Sequence, residues 1–133
     1  MIAYDTNILI YALEGTSFWS KAAQMIVEEG EHEGAILSVL TWQELITGAI
    51  LSKANQDKKL AIILNDLNAT KFAPVSFNIA KRAVSLTKYY GKQVYGHDAI
   101  HIATAIEHKA KCFFTNDKKL LKLNLKEIEI CGL

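Results

Sequence analysis

The sequence predicts an α/β fold, a three-layer sandwich in which helices cover a central parallel sheet of four to five strands. Three observations carry that reading. Short apolar runs of four or five residues alternate with longer segments of helical periodicity along the chain. The runs are apolar throughout rather than every second residue, as strands covered on both faces are. The 133 residues, 50% apolar and 22% charged, are enough for one hydrophobic core and exclude disorder or a collagen-like chain. The domain is therefore expected to be the whole chain, residues 1–133.

The elements follow in order. Ile2 to Tyr4 is a first strand, and Asp5-Thr6-Asn7 supplies a polar cap for a helix carrying Ile8, Leu9 and Ile10. Ser17 is expected to cap a second helix, Ser17 to Glu29, with Phe18, Ala22, Met25 and Ile26 inward and Gly30 as its stop. Gly34 to Ser38 reads as a buried strand, and Thr41 opens a helix from Trp42 to about Ser52. A further helix is expected over Asp57 to Leu67, with Leu60, Ile63, Leu64 and Leu67 on one face. Lys71 to Val75 reads as a short strand at an edge or ending there, because Pro74 cannot donate to a ladder. Asn78 to Tyr90 is helical up to Gly91, and Asp98 to Lys109 is helical with Ala99, Ile102, Ala103 and Ile106 inward. Lys111 to Thr115 is a strand, Asp117 to Leu123 a short helix, and Glu127 to Cys131 the last strand.

The longest uncharged stretch, Gly34 to Gln43, is about half of what a membrane span needs. No basic start followed by an apolar run precedes Asp5, and Cys112 and Cys131 lack the spacing of a zinc knuckle. A reduced, cytoplasmic protein is expected. Net charge is +1, but its distribution is uneven. Residues 1–66 hold four lysines and nine acids, whereas residues 67–133 hold eleven basic and five acidic residues. One surface can therefore attract polyanions while another holds cations.

In open α/β sheets, ligands bind beyond the carboxyl ends of the strands. Asp5 directly follows the first strand, Glu44 lies in the helix after the second, and Asp117 follows the Phe113-Phe114 strand. Asp98 opens a helix too small and apolar for a surface position. Each acid alone has an ordinary explanation. Thr41 and Glu44 have capping-box spacing, Asp98 and Asp117 suit the dipole of a first helical turn, and Asp5 suits a turn. Together, four clustered carboxylates repel and need a cation, and magnesium or manganese prefers oxygen ligands.

The runs Tyr4 to Ile10 (YDTNILI), Ser38 to Leu45 (SVLTWQEL), His97 to Ala105 (HDAIHIATA) and Phe113 to Asp117 (FFTND) resemble the successive motifs of the PIN domain, closest to the VapC-like toxins of toxin–antitoxin pairs. The resemblance implies a magnesium- or manganese-dependent endoribonuclease with Asp5, Glu44, Asp98 and Asp117 as its acidic set. It implies Asp5, Asp98 and Asp117 as metal ligands, with Glu44 holding metal or orienting water. Asn7, Thr115 and Asn116 are the polar candidates for positioning ligands and water. The implied partners are RNA, a second copy of the chain, and an antitoxin. The antitoxin's disordered tail is expected along a groove between the helices starting at Thr41 and Asp57, with a basic residue near Asp5 and Asp98.

Other residues are read more plainly. His101, three positions after Asp98, is expected as a packed histidine at the edge of the site rather than a ligand. His97 is expected nearer solvent. Trp19 and Trp42 are expected in the core or at a subunit contact. Tyr89, Tyr90, Lys92 and Tyr95 suit either a substrate-side loop or a plain helix end. The competing function is a catalytically weak PIN-like RNA- or protein-binding module, which gains nothing from four repelling acids. A phosphatase or phospho-receiver is disfavoured by Asn7, which stands where the former needs a second aspartate, and by the isolation of Asp5.

Overall fold

The computed structural model of the chain describes residues 1–51 and 70–133. Its five strands are β1 (Ala3–Tyr4), β2 (Ala35–Ser38), β3 (Thr70–Ala73), β4 (Cys112–Phe114) and β5 (Glu129–Cys131). All ladders are parallel: β1 pairs with β4, β4 with β5, and β2 with β3. A parallel bridge between Ile2 and Ala35 joins the two groups. There the Ile2 amide donates to the Gly34 carbonyl (3.0 Å), and the Ile36 amide to the Ile2 carbonyl (2.9 Å). The order across the molecule is thus β3-β2-β1-β4-β5. The chain starts in the middle of the sheet, winds out to one side and returns to the other, so a topological switch point lies between β1 and β4.

The helices are α1 (Thr6–Glu14), α2 (Ser20–Glu33), α3 (Val39–Leu51), α4 (Phe77–Tyr90), α5 (Gly96–Glu107) and α6 (Lys118–Leu121), with a 3-10 turn at Gly91–Gln93. Alternation of side chains along the strands builds the three layers. Ile2, Tyr4, Ala35, Leu37 and Cys112 face a core filled by Ile8, Leu9, Ala23, Ile26, Val27 and Leu45 of α1, α2 and α3. Ala3, Ile36 and Phe113 face the opposite core, with Ile79, Ala83 and Leu86 of α4, Ala99, Ile102 and Ala103 of α5, and Leu120. The expected α/β sandwich is the observed one.

Several local expectations are corrected. The second helix begins at Ser20 rather than Ser17, whose hydroxyl instead accepts the Trp19 amide (3.0 Å), and it continues to Glu33. Gly30 does not stop it. That glycine is buried inside α2, where an added Cβ would lie 3.0 Å from the Ala35 Cβ, so close approach to the sheet is its role. Phe18 and Met25 are exposed, and the inward face is Ala23, Ile26 and Val27. Helix α3 begins at Val39, with the Ser38 hydroxyl accepting the Leu40 amide (3.2 Å), so Thr41 and Glu44 form no capping box. Thr41 lies fully buried inside the helix. Trp42 is exposed and Trp19 half-buried. Helix α5 starts two residues before Asp98, at Gly96, whose φ of +61° is one that residues with a Cβ rarely adopt. Asp117 caps α6 rather than lying within it, and α6 ends at Leu121. Strand β3 ends before Pro74, in keeping with the donor that proline lacks. The helix expected over Asp57 to Leu67 lies outside the described residues, and so does one wall of the expected antitoxin groove. Among the described residues no helix is long and apolar enough to cross a membrane.

Candidate functional site

Asp5 follows β1 and is the N-cap of α1, with backbone in the extended region and Oδ1 accepting the Ile8 amide at 3.1 Å. Its other oxygen accepts the hydroxyl of Thr115, which follows β4. Thr115 is fully buried, and its oxygen also accepts the Asp117 amide at 3.0 Å. One threonine therefore ties the loop after β4 to the carboxylate after β1. Asp117 caps α6, its Oδ1 accepting the Lys119 amide at 2.8 Å. Asn7 is exposed at the start of α1, where its backbone N–H faces Asp5, and Asn116 is half-buried between Thr115 and Asp117.

Glu44 comes from α3. Instead of capping that helix it accepts from His101 of α5, Nε2 to Oε1 at 2.9 Å, and the exposed His97 ring stands 3.5 Å from the same oxygen. His101 is 6% exposed, and its Nδ1 lies 3.5 Å from the Thr41 hydroxyl. Thr6 of α1 donates to Thr41 at 3.2 Å. The packed histidine expected near the site is thus found, but its bond to Glu44 and the buried threonines behind it are not apparent from the sequence. Asp98 sits in the first turn of α5.

The charges of these groups feel one another. Burial pushes the Asp5 carboxyl above its usual value, against the Thr115 hydroxyl, the amides of Ile8 and Asn7, and the His101 charge. Burial also raises Asp98, aided by the negative charges of Asp117 and Glu44 and opposed by His101 and Lys119. Glu44 goes the other way: burial pulls it up, but the His101 bond and charge, with Thr6 and His97, hold it below the usual range. Asp5 and Asp117, after β1 and β4, thus meet through Thr115, and Asp98 at the start of α5 feels Asp117 and Glu44 of the second turn of α3, at the switch point of the sheet. Among the described residues, no three or more His, Cys, Asp or Glu side chains are already arranged to hold a metal ion. The donors nevertheless fit a hard divalent cation, since they are carboxylate oxygens, and Asp98 is held above its usual range by like charge as well as burial.

A pH dependence follows. A carboxyl whose pKa is raised on folding stabilises the fold fully below its unfolded value, about 3.9 for aspartate. That contribution is lost as pH rises through the folded pKa. Asp98→Asn is therefore expected to raise the melting temperature of the metal-free protein at pH 7. The gain should shrink as pH falls and the wild-type carboxyl takes up its proton. A variant melting lower at pH 7 and higher at pH 4 would contradict the direction assigned to Asp98.

The model of the PIN domain family matches residues 2–125. The chain belongs to the PIN domain family. Its fold is that of the VapBC2 structure from Rickettsia felis bound to a promoter DNA fragment, with a TM-score of 0.76, 18% identity, and coverage of 99% of this chain and 98% of that one. A toxin–antitoxin complex from Klebsiella pneumoniae gives 0.72 with 26% identity, covering 98% of this chain and all of that one (100%). FitAcB from Neisseria gonorrhoeae gives 0.69 with 20% identity, covering 98% and 96%. No curated protein matches the chain. Within the PIN domain, the YDTN, QEL, HDAIH and FFTND segments supply Asp5, Glu44, Asp98 and Asp117 to the candidate site just described.

Proposed function

We propose that the chain is a single PIN nuclease domain, residues 1–133, acting as a metal-dependent endoribonuclease and as the toxin of a cytoplasmic toxin–antitoxin pair. The observation that supports this reading is that Thr115 joins Asp5 to Asp117 while Asp98 feels the charges of Asp117 and Glu44, in a chain of the PIN family. Similarity to a toxin–antitoxin complex at 26% identity supports the biological role. Asp5, Asp98 and Asp117 would hold magnesium or manganese, and Thr115 orients the first of them. When bound, the ion supplies a water of lowered pKa and stabilises charge on the phosphate oxygens. Glu44, kept anionic by His101, is suited to accept a proton from water or to fix its orientation. The decisive experiment is cleavage of single-stranded RNA by the purified chain with magnesium or manganese, its loss on chelation, and its loss in Asp5→Asn. Cleavage that survives chelation would remove the metal from the mechanism. Binding without cleavage would favour the RNA-binding alternative.

The metal is expected to stabilise the fold by mass action. At a free ion concentration 100 times Kd, the gain is about 2.7 kcal/mol and raises the melting temperature. A variant with Asp5, Asp98 and Asp117 all changed to asparagine should show no such rise. Equal rises in wild type and variant would place the ion elsewhere.

The partners of this reading are RNA, an antitoxin and a second copy. An arginine from an antitoxin tail, planar and always charged, would pair with the acidic cluster and silence it. Trp42, Ile50 and Leu51 of α3 are exposed, whereas Leu45 packs into the chain's own core. Those exposed side chains suit a homodimer contact, and light scattering at micromolar concentration is expected to give twice the chain mass. A monomer under those conditions would refute the dimer and leave the nuclease untouched.

A further inference from the structure

We propose that His101 is a positioning residue for Glu44, its buried ring fixing the carboxylate at the acidic edge while Thr41 and Thr6 fix the ring from behind. The inference rests on the ribonuclease reading for its consequence in rate, and on the geometry alone for the contact. Beside His101, helix α5 buries Ala99, Ile102, Ala103, Ala105 and Thr104, whose hydroxyl donates to the Ile100 carbonyl of its own helix at 2.7 Å. A buried imidazole is costly unless its polar atoms are engaged. Here both nitrogens have partners: Nε2 is 2.9 Å from Glu44 Oε1, and Nδ1 is 3.5 Å from the Thr41 hydroxyl. Ionised Glu44 can only accept, so in the neutral ring Nε2 carries the proton and Nδ1 then accepts from Thr41. The Thr6 hydroxyl in turn donates to Thr41 at 3.2 Å.

Thr6, Thr41 and His101 are each 6% exposed or less, and the three come from three different helices. Glu44 itself is 32% exposed at its side chain, so a buried string of hydrogen bonds ends on a carboxylate that reaches solvent. His97 also approaches Oε1, but at 3.5 Å and from a side chain 60% exposed, where water competes. The ring of His101 is therefore the closer of the two histidines, and the buried Thr6 hydroxyl also reaches the carboxylate. A carboxylate so held keeps one orientation without reorganising as charge develops, which is how groups behind a reactive side chain affect rate.

Two near-isosteric variants separate positioning from packing. The amide nitrogen of His101→Gln falls near Nε2 and can still donate to Glu44. The shorter amide of His101→Asn falls near Nδ1, keeps Thr41 within reach and removes the ring's bond to Glu44. With the full-length chain, magnesium or manganese, and a single-stranded RNA, His101→Asn is expected to lower kcat about 10–100-fold with KM little changed. His101→Gln should recover most of that loss. In a Glu44→Gln background, His101→Asn should add little further loss. Equal losses in the Gln and Asn variants, or losses that multiply with that of Glu44→Gln, would overturn the proposal. Nitrogen-15 spectra of His101 in the metal-free protein read the contact without any cleavage. The Nε2–H tautomer is expected, with an Nε2 resonance that moves in Glu44→Gln. The opposite tautomer would refute the positioning role, whereas an absence of cleavage with the expected spectrum would refute only the ribonuclease reading.

Discussion

Replacing Asp5 by asparagine is expected to reduce RNA cleavage by about 10²–10⁴-fold while leaving the fold standing. A metal ion supplies several kcal/mol of charge stabilisation in the transition state, and each 1.36 kcal/mol is tenfold in rate. On the proposed reading, removing a carboxylate that would hold the ion forfeits much of that. The fold should not suffer, for two reasons specific to this position. Asparagine is as good an N-cap as aspartate, and its carbonyl oxygen can still accept the Ile8 amide that Asp5 Oδ1 accepts at 3.1 Å. Burial also holds the Asp5 carboxyl above its usual pKa, so the charge removed is one that folding does not favour. Thr115 can rotate its hydroxyl to accept from the new amide, although it then shares its oxygen with the Asp117 amide. Initial rates and melting temperatures, measured on the same preparation, check both halves. A variant within tenfold of wild type, or one that has lost activity only because it has unfolded, would contradict this account of Asp5.

What the sequence made legible is what a single segment can encode. Ile2 to Tyr4, Gly34 to Ser38 and Lys111 to Thr115 are apolar without alternation, and each contains a strand covered on both faces. Asp5 directly follows β1 and Asp117 comes just after β4, beyond Thr115 and Asn116, so the rule for open sheets was enough to bring them to one edge. Glu44 was harder. The spacing of Thr41 and Glu44 is that of a capping box, and nothing local distinguishes that from the observed arrangement, in which Ser38 caps the helix and Thr41 is buried. The deciding partner, His101, is 57 residues away in sequence. Tertiary contacts of that kind decide which of two locally acceptable roles a side chain takes. The same holds for Phe18 and Met25, which the helical period placed inward but which are exposed because α2 starts at Ser20 and turns Ala23, Ile26 and Val27 to the sheet. Gly30 was read as punctuation because glycine stops helices, whereas the side chains of Ala35, Tyr4 and Ile2 packed against it demanded it.

That demand gives a second large effect, in stability rather than rate. Gly30→Leu is expected to cost about 3 kcal/mol, the upper end for overpacking a filled interior. The site is tight before any side chain is added. An alanine Cβ would meet the Ala35 Cβ at 3.0 Å, the Tyr4 Cε1 at 3.4 Å and the Ile2 Cδ1 at 3.7 Å. The Ala35 methyl is fixed to β2 and has no rotamer to retreat into, and Ile2 and Ala35 form the bridge that joins the two ladders. A larger group must therefore push α2 away from the sheet or part the strands. Gly48 in α3 is the control, since a Cβ there meets nothing within 4 Å. With no clash, alanine should gain helix propensity worth about 1 kcal/mol at Gly48. The same propensity is available at Gly30, so the sign of Gly30→Ala depends on packing alone. We expect Gly48→Ala to melt above wild type, Gly30→Ala below it, and Gly30→Leu lowest, by chemical and thermal denaturation of the metal-free chain. If both alanine variants were stabilised alike, α2 would be free to move off the sheet, and Gly30 would be an ordinary helical glycine. Opposite signs for the same substitution would instead locate the constraint at the contact between α2 and the strands that carry Asp5 to the site.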